Sequence, residues 1–146
     1  MDKAQRLATL LPNGRGVWIP IDHGASDYPN PGLEDLEGLI QSLVNAGVDA
    51  IVAQKGVVSK YAPLCEGTST GMVIHYSVST RHAGPESNNK VLVGHADETL
   101  LRGGTAVYRQ VNICLLYTSQ AADDVLRVVS GGSRVQKKSG GGWGGG

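Results

Sequence analysis

The stretch "VWIPIDHGASDYPNPG", Val17 to Gly32, decides the fold. A short apolar run stops at a carboxylate and an imidazole, Asp22 and His23, and a Pro-Gly pair follows a few residues later. "GVWIPID" is short, mostly apolar and bounded by Gly16 and Gly24, the pattern of a strand buried on both faces. Asn30 and Pro31 then supply an N-cap followed by proline at the first helical position, with Glu34 and Asp35 in the first turn. Leu33, Leu36, Ile40, Leu43 and Val44 recur at helical spacing until Gly47.

The same alternation continues outward. "DAIVAQK" (Asp49–Lys55) and "MVIHYS" (Met72–Ser77) are the second and third buried strands, and "KVLVG" (Lys90–Gly94) is another short one. "DETLLRGG" (Asp97–Gly104) predicts a short helix with a glycine stop, and "TAVYRQVNI" (Thr105–Ile113) a further strand. Strands and helices joined by short loops predict a parallel α/β sheet. A dinucleotide-binding unit would carry G-x-G-x-x-G directly after the first strand, where this chain has "DHGASDY". No G-x-x-x-x-G-K-[ST] phosphate loop occurs either. In a (β/α)₈ barrel the chemistry sits at the C-terminal ends of strands. Asp22, Lys55 and Ser77 all fall at such ends, so the barrel is the better expectation.

Composition removes several function classes. The 146 residues carry 13 Lys/Arg and 13 Asp/Glu, which leaves no basic excess for a phosphate backbone. No nucleic-acid partner is expected. No apolar run approaches the roughly 20 residues of a membrane helix, and "MDKAQRLATLLPNG" is too weakly apolar for a signal peptide. No membrane partner and a cytoplasmic setting are therefore expected. Cys65 and Cys114 make neither a disulfide framework nor zinc spacing. With 5% aromatics and no phenylalanine, the core falls to Val, Leu, Ile and Ala.

The motifs "IDHG", "PGLEDL", "GVDAIVAQKGVV" and "GMVIHYSVST" together resemble the class I, Schiff-base aldolases of the archaeal-type fructose-bisphosphate aldolase group. That group includes the 2-amino-3,7-dideoxy-D-threo-hept-6-ulosonate synthases. Its pattern is Asp-His-Gly-x-Ser after strand one, Gly-Leu at the first helix, Lys-Gly-(Ile/Val) after strand two and His-x-Ser-x-(Ser/Thr) after strand three. Here those positions are Asp22 to Ser26, Gly32-Leu33, Lys55-Gly56-Val57 and His75 to Ser79. The resemblance covers roughly residues 15 to 113, with "GGTAVYRQVNI" as the fourth strand.

The resemblance implies a (β/α)₈ barrel of about 250 residues, about 31 per unit, so residues 1–113 would hold its N-terminal half, about four units. It implies a sugar-phosphate substrate, a lysine imine on the sixth strand, a tyrosine proton donor on the fifth, no cofactor, and a homo-oligomeric parent enzyme. Those later strands would lie beyond the four units, and the chain alone would be inactive. Asp22 is assigned the proton transfers of imine formation; His23, Gly24, Ala25 and Ser26 form the substrate-contacting loop. Gly24 would permit close backbone approach, and Ser26 would offer a hydroxyl.

Other residues read differently. Lys55 ends a strand expected to lie about 4.8 Å from the one ending at Asp22, and is expected to pair with that carboxylate instead of acting as a nucleophile. His23, His75, His82 and His95 have no metal-ligand spacing and are expected to be solvated, while Tyr76 and Ser77 brace the third strand end. A second function class is a non-catalytic half-barrel that self-associates and binds phosphorylated ligands.

Residues 114–146 differ in kind. They hold 8 of the 21 glycines, carry 4 Lys/Arg against 2 Asp/Glu, and end in "KKSGGGWGGG". From Cys114 the stretch resembles translated sequencing-adapter read-through; the alternative is a glycine-rich tail. Either way it has too few apolar residues at consistent spacing to offset its ordering entropy. Deleting residues 114–146 should leave thermal stability within about 0.5 kcal/mol, checked by calorimetry of the two chains. A loss of several kcal/mol would show that the segment is packed structure.

Overall fold

In the computed structural model, residues 1–25, 30–79, 84–85 and 90–110 are described here. Four strands, β1 (Trp18–Pro20), β2 (Ala50–Gln54), β3 (Gly71–His75) and β6 (Ala106–Tyr108), form one sheet in that order. All its pairings are parallel, with Pro20 opposite Val52, Gln54 opposite His75, and His75 opposite Tyr108. A second, two-stranded sheet pairs β4 (Ser77–Val78) with β5 (Val91–Leu92) in antiparallel fashion. The run expected at Lys90–Gly94 is therefore a strand, but it stands outside the main sheet. The fourth strand of the parallel sheet is the one expected in "TAVYRQVNI".

Period-two alternation divides the sheet residues between two faces. One set, Ile19, Ile21, Ile51, Ala53, Met72, Ile74 and Val107, belongs to the larger core. It packs with α2 (Leu36–Asn45), through Leu36, Leu39, Ile40 and Leu43, and with α3 (Lys55–Tyr61), through Val57 and Val58. The other face carries Trp18, Ala50, Val52, Val73, Ala106 and Tyr108, grouped with Leu10 of α1 (Lys3–Leu10). A Cβ on Gly71 would come 2.7 Å from Leu10 Cδ2, so glycine leaves room for the Leu10 side chain where α1 meets β3. The Trp18 indole donates to the Leu10 carbonyl at 2.8 Å, fixing α1 at the N-terminal end of the strands. A capping box between Asp2 and Gln5 starts that helix.

Two local expectations are corrected. Helix α2 starts at Leu36, not at Asn30-Pro31, because Asp35 is its N-cap and accepts from the Gly38 amide at 3.0 Å. Gly32, at φ +93°, turns the chain before it, and Glu34 takes the Gly32 N–H at 2.7 Å. Gly47, at φ +73°, follows the end of α2, as expected of a left-handed helix stop. Strand β2 stops at Gln54, so Lys55 opens α3 instead of closing the strand. A fourth helix, α4 (Glu98–Leu101), lies within the predicted Asp97–Gly104 segment.

The sequence expectation for strand ends holds: Asp22, Lys55 and Ser77 all follow the C-terminal ends of β1, β2 and β3, and β1 and β2 are neighbours. Ile74 is 0% exposed and Leu101 is 90% exposed. Ile74→Ala should therefore destabilise the protein by about 2–5 kcal/mol, whereas Leu101→Ala should stay within about 0.5 kcal/mol. Chemical denaturation of both variants checks this contrast.

Candidate functional site

At the C-terminal end of the sheet the face shared by Trp18, Val52 and Tyr108 opens into a cavity of about 600 Å³. The Ile21 amide donates to the Val52 carbonyl at 2.8 Å, which extends the β1–β2 pairing by one residue and carries Asp22 to the cavity wall. Trp18, Pro20 and Asp22 alternate along β1 and its extension, and all three line the cavity. Across the sheet, His75 closes β3 on the same face, being opposite Gln54 and Tyr108 in register.

These positions bring three polar side chains into one buried line. His75 Nδ1 meets Asp22 Oδ2 in a short hydrogen-bonded contact, and His75 Nε2 lies 2.9 Å from Ser77 Oγ. Ser77 Oγ in turn accepts the Gln110 backbone N–H at 2.7 Å. His75 is 5% exposed and Ser77 0%, so these contacts are sheltered from competing water. The Tyr108 ring packs on the imidazole with centroids 4.8 Å apart and planes at 60°.

Electrostatics follow from this arrangement. Burial pushes the Asp22 carboxyl up, but its hydrogen bonds, that from His75 foremost, outweigh it and hold the group below its usual value. Asp22 is thus a carboxylate near neutral pH, half-buried and at the edge of a cavity. Such a group can accept a proton from a bound molecule and return it.

Lys55 is not its partner, contrary to the sequence expectation. Its Nζ donates to the Val93 carbonyl, and the place foreseen for it beside Asp22 is taken by His75. Lys55 is the first residue of α3, where strand alternation no longer applies, and from there its side chain reaches the Val93 carbonyl. His75 likewise departs from the solvated histidine expected. Its place inside "MVIHYS" was the available signal, because a polar ring in a buried strand needs a partner.

His23 opens the short 3₁₀ turn His23–Ala25, is exposed, and lines the same cavity. Gly24, also exposed, lines a smaller hollow of about 310 Å³ beside Asp22, Leu33 and Leu36. A Cβ there would meet nothing within 4 Å, so internal packing does not demand glycine at this position. Ala25 completes the turn, and Ser26 lies outside the described residues. Sequence reasoning did not single out Trp18, Lys90 and Tyr108, which also line the cavity. His95 is exposed, and its amide donates to Glu98; His82 lies outside the described residues. Among the described residues no three His, Cys, Asp or Glu side chains are grouped to hold a metal ion, and no helix is long and apolar enough to cross a membrane.

Comparison with known proteins agrees with this architecture. Residues 17–137 match the DeoC/LacD family of aldolases, and the chain belongs to that family. It is 33% identical over 113 residues to 2-amino-3,7-dideoxy-D-threo-hept-6-ulosonate synthase 1 of Archaeoglobus fulgidus, covering 77% of this chain and 42% of that protein. It is 37% identical over 95 residues to 2-amino-4,5-dihydroxy-6-oxo-7-(phosphonooxy)heptanoate synthase of Streptomyces griseus, covering 65% and 34%. A Halobacterium salinarum synthase with the same name as the Archaeoglobus protein, apart from its number, is 29% identical over 111 residues, covering 76% and 41%. The chain therefore spans less than half the length of these relatives. The family fold is the TIM barrel, and the four parallel strands are part of one.

The lowered Asp22 pKa makes stability depend on acid in a definite direction. A carboxyl with a depressed folded-state value stabilises the fold above its ordinary value of 3.8, and that contribution is lost as pH falls through the depressed value. Asp22→Asn should be less stable than the parent near neutral pH, and the difference should shrink as pH drops below the ordinary value. Urea denaturation of both proteins across that range checks the sign.

Proposed function

From family membership and the geometry at Asp22, we propose that this chain is the N-terminal part of a class I aldolase. It would make or break a carbon–carbon bond in a sugar phosphate through a lysine imine. The observation that carries the reading is the ionised Asp22, tethered by His75 at the C-terminal end of β1 and bordering a cavity of about 600 Å³. A substrate of several carbons fits that space, and Lys90 on the cavity wall suits a phosphorylated ligand.

The part played by Asp22 follows from the chemistry of imine formation. A lysine amine adds to the substrate carbonyl, giving a carbinolamine whose nitrogen must lose a proton and whose hydroxyl must gain one to leave as water. A single carboxylate within hydrogen-bond reach can take the first proton and deliver it to the departing oxygen. Lys55 does not serve as the amine in this reading, because its Nζ is engaged by the Val93 carbonyl. The imine-forming lysine is assigned to the sixth strand of the complete barrel, beyond the four strands described. The substrate-contacting role of His23, Gly24, Ala25 and Ser26 belongs to the same proposal, as does a homo-oligomeric parent enzyme.

The test joins this chain to the C-terminal strands of the Archaeoglobus synthase. Borohydride with dihydroxyacetone phosphate should trap a covalent adduct on the completed protein, read by mass spectrometry, and none on the 146-residue chain. In the completed protein Asp22→Asn should keep the fold and lower turnover by about 10²–10⁴-fold, the range of a positioned acid–base group. Near-normal turnover would remove Asp22 from the mechanism. An adduct on the chain alone would place the nucleophile within it, with Lys90 the first lysine to examine.

A further inference from the structure

We propose that His75 is the positioning residue of Asp22: Ser77 and the Gln110 amide fix its imidazole as the neutral Nδ1–H tautomer, whose proton is committed to the Asp22 carboxylate. The inference deepens the reading of Asp22 as an acid–base group and takes its purpose from it.

The assignment follows from counting protons along the line of contacts. A serine hydroxyl has one proton and two lone pairs. One lone pair of Ser77 Oγ is occupied by the Gln110 N–H at 2.7 Å. Of the two groups in contact with Ser77 Oγ in this line, only His75 Nε2, 2.9 Å away, can accept the hydroxyl proton, and we assign it there. A nitrogen that accepts a hydrogen bond carries no proton, so the proton of the neutral ring sits on Nδ1. Nδ1 faces Asp22 Oδ2, and an ionised carboxylate can only accept. Every group in the line then has a partner of the right kind, with the direction of donation running from the backbone amide to the carboxylate.

The line also crosses the sheet. Asp22 follows β1, His75 closes β3, Ser77 opens β4, and Gln110 lies two residues beyond β6. A backbone amide at the exit of the fourth parallel strand thereby orients a carboxylate at the exit of the first. The Tyr108 ring, against the imidazole on β6, opposes rotation of the ring away from this alignment. Among the described residues, the charged and titratable groups around Asp22 include His23 beside it in the chain, His75 from β3, and Lys90 on the shared cavity wall, with Tyr108 behind His75.

Nuclear magnetic resonance of the full 146-residue chain, with ¹⁵N-labelled histidine and ¹³C-labelled aspartate, tests the proposal. Near neutral pH the His75 ring should show a protonated Nδ1 and an unprotonated Nε2. Ser77→Ala should convert it to a mixture of tautomers. The Asp22 carboxyl carbon should titrate below the ordinary carboxylate value in the parent and move upward in His75→Ala. It should stay near the parent in His75→Asn, whose amide N–H can stand where Nδ1–H stood. A brace that merely filled space would leave the tautomer and the rescue by asparagine without preference. A protonated Nε2 in the parent, whether as the other tautomer or as imidazolium, would overturn the proposal. So would His75→Asn titrating with His75→Ala. The tautomer is read on the unsubstituted chain, so a variant that fails to fold leaves the test intact. None of these signals requires turnover. Loss of the acid–base role of Asp22 in the completed protein would therefore be distinguishable from loss of its positioning by His75.

Discussion

Burial of both faces of a four-stranded parallel sheet is the constraint on which the other features depend. Each strand residue must find a partner either under α2 and α3 or on the side plugged by α1. Parallel pairing supplies the backbone hydrogen bonds, and the period of two then dictates which side chains share a face. Gly71 serves this constraint directly, since a Cβ there would crowd the Leu10 and Thr105 side chains where α1 meets β3.

Apolar residues satisfy that constraint along the middle of the strands, and the polar exceptions gather where the strands stop. Asp22 and His75 belong to the cavity face, in phase with Trp18, Val52 and Tyr108. A buried carboxylate would be expensive without a donor, and a buried imidazole without partners would be as well. Each removes the cost of the other, and Ser77 with the Gln110 amide completes the set. The same contact therefore has two effects: the bond that permits burial of Asp22 also keeps it ionised.

The second, two-stranded sheet has a related part. The Val93 amide donates to the Tyr76 carbonyl at 2.9 Å, so the β4–β5 pairing is carried to the residue that separates β3 from β4. There Ser77 Oγ meets His75 Nε2, while Lys55 reaches across to the Val93 carbonyl from the start of α3. Three loops are thus joined around the strand ends without an ion pair between Lys55 and Asp22.

The sequence by itself determined the strand–helix alternation, the parallel sheet and the placement of Asp22, Lys55 and Ser77 at strand ends. These depend on local periodicity and on where apolar runs stop, and "GVWIPID" or "DAIVAQK" carries that information within a few residues. It also determined the family resemblance, through motifs that stand close together in the chain. The start of α2 was less legible because Asn30 and Asp35 are both competent caps, and only the path of the chain through Gly32 selects between them. Which group answers Asp22 was decided by tertiary structure alone. His75 closes β3 whereas Lys55 already belongs to α3, and the meeting of Asp22 with His75 is a relation between segments 53 residues apart. No local pattern encodes that distance; it exists once β1, β2 and β3 pair, and the same pairing brings the Gln110 amide to Ser77.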